Sequence, residues 1–204
     1  VNDLPLNGVL IYLIRHGETD HNASGRLQGH LDVELSERGR SQAQAAAAHL
    51  AGRGVTVIYS SDLLRAKQTA AIIGERLGLE VKLDRRLREV DVGQCQDLLA
   101  EEIAERFPEL IEALGRDRET ARYPGGESIG EMADRAQRAI ADIARAHPGG
   151  KVAVVAHGGP LRRLIHRALG AGPEAREQVL LHNCAIVGLD LSPPAARLIL
   201  TGPV

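Results

Sequence analysis

Two short tracts carry the side chains best suited to chemistry, Arg15-His16-Gly17 and His157-Gly158-Gly159. Each joins an imidazole, which can attack or carry a proton near neutral pH, to glycine, which lets backbone N–H groups approach a ligand. A third tract, Ser60-Ser61-Asp62-Leu63-Leu64-Arg65, adds a guanidinium. Brought together, two imidazoles, the guanidiniums of Arg15 and Arg65 and the free N–H groups make an anion site. Taken singly the residues say less: a lone histidine after a strand is commonly structural, and a lone arginine is commonly solvated. Arg65 adds a point of its own, because the sequence sets it near the first turn of a helix, where the helix dipole disfavours a cation. A bound dianion removes that conflict by partnering both the guanidinium and the free helix N–H groups. A cation beside His16 also favours neutral imidazole, the nucleophilic form.

Placing these tracts side by side requires a particular scaffold. Val9 to Ile14 and Val152 to Ala156 are short, continuously apolar and rich in β-branched residues, as expected of strands buried on both faces, and each ends in a histidine and a glycine. Val55 to Tyr59 is a third candidate strand, ending in Ser60. Between them, Ser36 caps a predicted helix running to Leu50, and Ser61 caps another with Leu63, Ala66, Ala70, Ile73 and Leu77 on its apolar stripe and Gly78 as its stop. Glu127 to Ala146 repeats the helical pattern, and Gly159-Pro160 opens a further helix. Ala185 to Leu191 and Arg197 to Leu200 read as closing strands. Alternating strand and helix predicts an α/β fold of three layers, a mostly parallel central sheet with helices on both faces. In such sheets ligands bind outside the carboxyl ends of the strands, where all three tracts fall. The polar tract from Gly115 to Gly126 is expected to be a surface loop beside that site.

Bulk composition narrows the function classes. The chain of 204 residues suits one domain over residues 1–204, and its 44% hydrophobic and 25% charged residues suit an ordinary globular protein. A formal net charge of −2 with interspersed signs gives no electrostatic reason to expect nucleic acid or an anionic membrane as partner. Cys95 and Cys184 are the two cysteines, in no metal-ligand spacing, and a chain this long does not need a disulfide. No signal segment is visible ahead of Val9, so a reducing cytoplasm is the expected setting. Eight histidines raise a zinc hydrolase, but no His-Glu-x-x-His spacing exists, and His21, His30, His49, His147, His166 and His182 read as surface or structural. No Gly-x-x-x-x-Gly-Lys loop is present for a nucleotide.

The segment Leu13-Ile-Arg-His-Gly-Glu-Thr-Asp-His-Asn22 resembles the signature of the histidine phosphatase superfamily, which includes the cofactor-dependent phosphoglycerate mutases. The resemblance continues in order through Gly25-Arg-Leu-Gln-Gly29, Leu35-Ser-Glu-Arg-Gly39, Ser60 to Ala70, Leu87-Arg-Glu89, Gly125-Gly-Glu-Ser128 and Ala156-His-Gly-Gly159. It implies that His16 attacks phosphorus and becomes phosphohistidine, while Arg15, Arg65 and His157 hold the equatorial oxygens. It further implies that Glu89 protonates the leaving oxygen and then activates water, with Glu18 and Asp91 as competing acids. Asn22, Gln28 and the backbone of Gly29 and Gly158 are implied contacts to phosphate or substrate. No metal and no cofactor is implied.

One segment departs from the family. After the acid, many relatives continue Gly-x-aromatic-Glu-Gly, whereas this chain has Gly93-Gln-Cys-Gln-Asp97. The mutases also carry a longer insert ahead of Gly-Gly-Glu-Ser, with tyrosine, lysine and paired arginines for a carboxylate. Here Val90 to Pro124 holds no lysine, and Asp117 separates Arg116 from Arg118. A phosphatase acting on a small phosphorylated metabolite is therefore the expected function, with a mutase or a non-catalytic phosphate-binding protein as alternatives. Tyr123 is the aromatic residue best placed to touch a substrate, and monomer and homodimer both stand open.

Overall fold

The computed structural model describes residues 4–168, 170 and 180–200. Six strands form one sheet in the order β3-β2-β4-β1-β5-β6. These are β1 (Leu10–Arg15), β2 (Val57–Ser60), β3 (Val81–Leu83), β4 (Lys151–Ala156), β5 (Ile186–Asp190) and β6 (Arg197–Leu200). The first four run parallel, while β5 pairs antiparallel with β1 and β6 antiparallel with β5. The apolar runs of β1 and β4 lie in the middle of the sheet, paired from Leu10 opposite Lys151 to Arg15 opposite Ala156. With sheet neighbours on both edges and helices on both faces, every position from Ile11 to Ile14 and from Val152 to Ala156 is buried, so neither strand needs a polar face.

The helices are α1 (Asp20–Ser24), α2 (Glu37–Leu50), α3 (Leu64–Leu77), α4 (Ala100–Arg106), α5 (Pro108–Arg116), α6 (Ile129–Ala146) and α7 (Gly158–Ala168). On one face α2 and α3 pack through Ala43, Ala46, Ala47, Ala66, Ala70 and Ile73 against Ile14, Ile58 and Val155. The alanines let both helices lie close to the sheet. On the other face α6 and α7 bury Ala136, Ile140, Ile143, Leu161, Leu164 and Ile165 against Ile11, Leu13, Val152 and Val154. Each fully buried Ile or Leu contributes about 1.5–3 kcal/mol of transfer free energy. None of the helices among the described residues is long and apolar enough to cross a membrane.

Serine caps two helices, one of them at the expected Ser36. Ser36 caps α2 by accepting the Gly39 N–H at 3.1 Å, and Ser128 caps α6 in a reciprocal box with Glu131. A third differs. The N-cap of α3 is Leu63, without a side-chain cap, and Ser61 lies ahead of the helix. Its Oγ still accepts the Leu63 N–H at 3.3 Å, but the serine is turned toward His157. The Leu64 N–H is taken instead by Asp32 Oδ1 at 2.6 Å.

The loop after β1 is pinned to the start of α2 by close backbone approach. A Cβ on Gly17 would stand 2.4 Å from the Gly39 carbonyl oxygen, and one on Gly39 would stand 2.0 Å from the Glu18 oxygen. Neither position has room for any other residue.

Candidate active site

His16 follows the last residue of β1 and is 3% exposed. Its Nδ1 lies 2.7 Å from the Gly17 carbonyl oxygen. A carbonyl only accepts, so Nδ1 carries the ring proton and Nε2 keeps its lone pair. Burial, with Arg65 and Arg15 adding, holds the His16 pKa well below its ordinary 6.5, against the opposing pull of the Gly17 hydrogen bond. The residue is a neutral imidazole with a free Nε2. Its backbone is fixed from two sides: His16 N–H donates to the Ala156 carbonyl at 3.0 Å, and Asn183 Nδ2 donates to the His16 carbonyl at 3.1 Å.

Donors gather around that nitrogen. Adjacent strands β1, β4 and β2 end at the same edge, which brings His157 and the Ser60-Ser61 turn beside His16. The two imidazole rings are 5.1 Å apart at 57°. His157 Nε2 lies 2.8 Å from Ser61 Oγ. The Ser61 O–H can donate to Nε2, and in that tautomer Nδ1 carries the ring proton. Burial first, then Arg65, holds the His157 pKa well below 6.5. Arg65 is 1% exposed on the first turn of α3, and its two outer nitrogens donate to the Leu31 and Gly29 carbonyls at 2.9 and 2.8 Å. Burial brings its pKa down to about 10, with Glu89 and Asp32 opposing and Arg15 assisting. Arg15 donates from Nη1 to the Leu181 carbonyl at 2.7 Å. Arg15 Nε, Arg65 Nε and His157 Nδ1 are all buried without a hydrogen-bond partner. A buried donor left unpaired costs about 1–3 kcal/mol, so three beside one imidazole define a place for an anion.

The remaining residues named from the sequence fall around this cradle. Asn22 Oδ1 accepts from Thr19 N at 3.2 Å, Thr19 Oγ1 at 3.1 Å and Asn183 Nδ2 at 3.2 Å, so its amide NH₂ is the end left to meet a ligand. Gln28 is 8% exposed and its Oε1 is buried without a partner. Gly29 supplies a carbonyl to Arg65. Gly158 is the first residue of α7, where helix N–H groups have no partner within the helix.

Among the three carboxylates, Glu89 is the one bonded to the start of α7 just after His157. Its Oε2 accepts the Gly159 N–H at 3.1 Å and its Oε1 the Val90 N–H at 2.9 Å. Its carbonyl takes hydrogens from His30 Nε2 at 2.9 Å and Arg135 Nη2 at 2.6 Å. Arg135, on α6, also donates to the Arg86 and Arg88 carbonyls and pairs with Glu127, whose Oε1 accepts the Asp91 N–H. The Gly-Gly-Glu-Ser motif therefore fixes the acid segment. Glu18 turns to Ser36 and Arg38, and Asp91 to the Gly93 N–H and His30.

Ser61, Thr69, Asn183 and Arg162 belong to this neighbourhood and were not picked out by the sequence. Thr69 Oγ1 accepts the Gly17 N–H at 3.0 Å and donates to the Arg65 carbonyl at 2.8 Å, tying the two tracts together. Ser61 carried a signal, its place after a strand, but serine before a helix reads as a cap.

The Gly93–Asp97 segment opens with a single tight helical turn over Gly93–Cys95. Cys95 is fully buried with Val92, Ile103 and Leu110. Asp97, where relatives have glycine, adopts φ +63°, a conformation that aspartate tolerates better than most residues, and its carboxylate lies 3.2 Å from His21 Nε2.

The central strands of this α/β sheet thus bring a neutral imidazole beside two buried guanidiniums and a second imidazole, an arrangement suited to an anion. The chain belongs to the histidine phosphatase superfamily (branch 1), whose family model matches residues 11–201. It is 42% identical over 179 residues to phosphoglycerate mutase-like protein 4 of Arabidopsis thaliana, covering 86% of this chain and 76% of that one. It is 37% identical over 180 residues to the probable phosphoglycerate mutase GpmB of Enterobacter sp. (strain 638), covering 88% and 84%. Among solved structures, a mycobacterial glucosyl-3-phosphoglycerate phosphatase complexed with VO3 superposes with TM-score 0.83 at 35% identity, covering 96% of this chain and 99% of that one. A putative alpha-ribazole-5'-P phosphatase from Escherichia coli K-12 gives TM-score 0.88 at 28% identity over 97% of both chains.

Proposed function

We propose that this chain is a metal-independent phosphatase that hydrolyses small phosphomonoesters through a phosphohistidine on His16. The supporting observation is the neutral His16 with Nε2 free among three buried, unpartnered donors. In the first step the Nε2 lone pair forms a bond to phosphorus while the ester P–O bond breaks. The departing oxygen takes a proton from the Glu89 carboxyl. The Nδ1–H bond to the Gly17 carbonyl stabilises the positive charge that grows on the ring. Arg15, Arg65, His157 and the NH₂ of Asn22 hold the equatorial oxygens through the transition state. In the second step water attacks phosphorus, gives a proton to the Glu89 carboxylate, and the P–N electrons return to Nε2 as inorganic phosphate forms.

The short segment from Val90 to Pro124 supports hydrolysis over mutase action, and both solved structures named above carry phosphatase names, one of them as putative. The curated names favour the second reading, a mutase. The two buried free thiols suit a reducing cytoplasm. The reading is tested by p-nitrophenyl phosphate hydrolysis in EDTA, run beside 3-phosphoglycerate. Release of inorganic phosphate supports it; isomerisation of 3-phosphoglycerate without phosphate release sinks it in favour of the mutase.

Glu89→Gln checks the acid. In single-turnover measurements, cleavage of an alkyl phosphate is expected to slow by about 10²–10⁴-fold. The burst of p-nitrophenol from p-nitrophenyl phosphate needs no protonation of its leaving group and should slow far less. Equal slowing of both first steps would move the acid role to another group.

A further inference from the structure

Arg162 stands on α7, one turn beyond His157, and its guanidinium lies close beside that of Arg15. Its Nη2 is 3.1 Å from the point where a Cβ on Gly158 would sit, and Arg15 Nε is 3.7 Å from the same point. Two like charges thus share the space beside Gly158 and act on each other. Arg162 also lies near the positive end of α7, where the helix dipole opposes a cation. The other arginines of this helix are neutralised: Arg163 pairs with Glu119 at 2.9 Å and Arg167 with Asp134 at 2.7 Å. Among the described residues, no carboxylate or other acceptor takes a hydrogen from Arg162. Glu89, the carboxylate of this region, spends its oxygens on the Gly159 and Val90 N–H groups.

The loop after α5 adds a second such arginine. The Arg163–Glu119 pair and the Gly130 N–H to Glu119 carbonyl bond dock the loop after α5 onto α7 and α6. That loop brings Tyr123, on whose hydroxyl the charges of Arg118 and Glu89 both act. Arg118 is exposed and, among the described residues, forms no ion pair. Beyond the cradle itself, Arg162 and Arg118 are therefore two guanidiniums without an ion pair among the described residues.

We propose that Arg162 determines specificity by binding a second anionic group, a carboxylate or a further phosphate, on the part of the substrate beyond the transferred phosphoryl. This rests on the phosphatase reading and deepens it: the substrate class becomes phosphomonoesters with an acidic tail. A guanidinium suits that role because its planar fork pairs two donors with two oxygens of a carboxylate or phosphate.

The test compares matched substrates. 3-Phosphoglycerate and glycerol 3-phosphate differ in carrying a carboxylate or a hydroxymethyl group, and glucose 1,6-bisphosphate and glucose 6-phosphate differ by a phosphate. Wild type is expected to prefer the acidic member of at least one pair by about tenfold or more in kcat/KM, and the preferred pair identifies the group. In Arg162→Gln that ratio should fall by about tenfold, mainly through KM, and Arg162→Lys should restore part of it. A wild-type ratio near one in both pairs, or a ratio unchanged by Arg162→Gln, would overturn the proposal. So would equal losses on both members of a pair, which would make Arg162 a ligand of the transferred phosphoryl. Equilibrium binding of the same four compounds to wild type and Arg162→Gln gives the same ratio without turnover. A chain that binds with the expected preference but hydrolyses nothing would refute the phosphatase reading alone.

Discussion

His16→Ala is expected to lower kcat on p-nitrophenyl phosphate by at least about a thousandfold, because the other members of the site cannot supply a nucleophile once Nε2 is gone. The substitution leaves the Gly17 carbonyl without its donor and opens a small void, at a cost of about 1–3 kcal/mol, which a folded α/β domain survives. Circular dichroism and Tm should therefore report a folded protein with no turnover. The wild-type rate profile follows from the same geometry. With its pKa held well below 6.5, His16 stays neutral through the neutral range, so the acid limb of kcat/KM should lie well below pH 6.5. Residual turnover above one part in about a thousand, or an acid limb at the ordinary histidine value, would argue against this nucleophile.

The second large effect belongs to Arg65. Arg65→Ala should cost about 10²–10³-fold in kcat/KM and weaken vanadate or phosphate inhibition by a comparable factor, as loss of a preorganised donor to developing charge does elsewhere. Its two outer nitrogens already serve Gly29 and Leu31, so the guanidinium is held rigid and only Nε and its charge are left for the ligand. Arg65→Lys separates charge from geometry. A lysine keeps the charge but cannot hold both carbonyls and reach the anion, so it should recover little. Unchanged vanadate affinity in Arg65→Ala would place this side chain outside the phosphoryl site.

The architecture was legible where burial is complete. β1 and β4 are covered on both faces, and physics then demands unbroken apolar runs, which anyone can read from Val9 to Ile14 and Val152 to Ala156. Ser36 was legible through capping chemistry, whereas the helix read from Glu127 begins at Ile129 behind a Ser128 cap. β3 escaped, since a three-residue edge strand with Lys82 and Leu83 exposed has no pattern to show. So did α4 and α5, whose apolar positions serve a small cluster of their own around Val92 and Cys95. Within the site, the types of His16, Arg65 and His157 declared an anion, but the choice of Glu89 over Glu18 and Asp91 depends on a Gly159 N–H seventy residues away. Asn183 and Arg162 stand beside the site only because the fold carries them there, and local sequence contains no sign of that; Ser61 showed only its place after a strand.

The two buried imidazoles have a consequence for the whole molecule in acid. Folded, the chain declines protons at His16 and His157; unfolded, it accepts both near the ordinary value of about 6.5. Unfolding is thus a proton-uptake reaction below that pH, and stability is complete above about 6.5 and declines as pH falls toward the depressed folded values. Each histidine contributes a slope of up to about 1.4 kcal/mol per pH unit, and His147, less strongly lowered, adds a smaller share. Denaturant unfolding between pH 7.5 and 5 should show this slope, and His16→Ala should reduce it. A flat profile would mean that the pair charges freely in the native state. The buried imidazoles make the fold sensitive to acid, and on the phosphatase reading inorganic phosphate, by binding only the folded chain, should restore part of what acid removes.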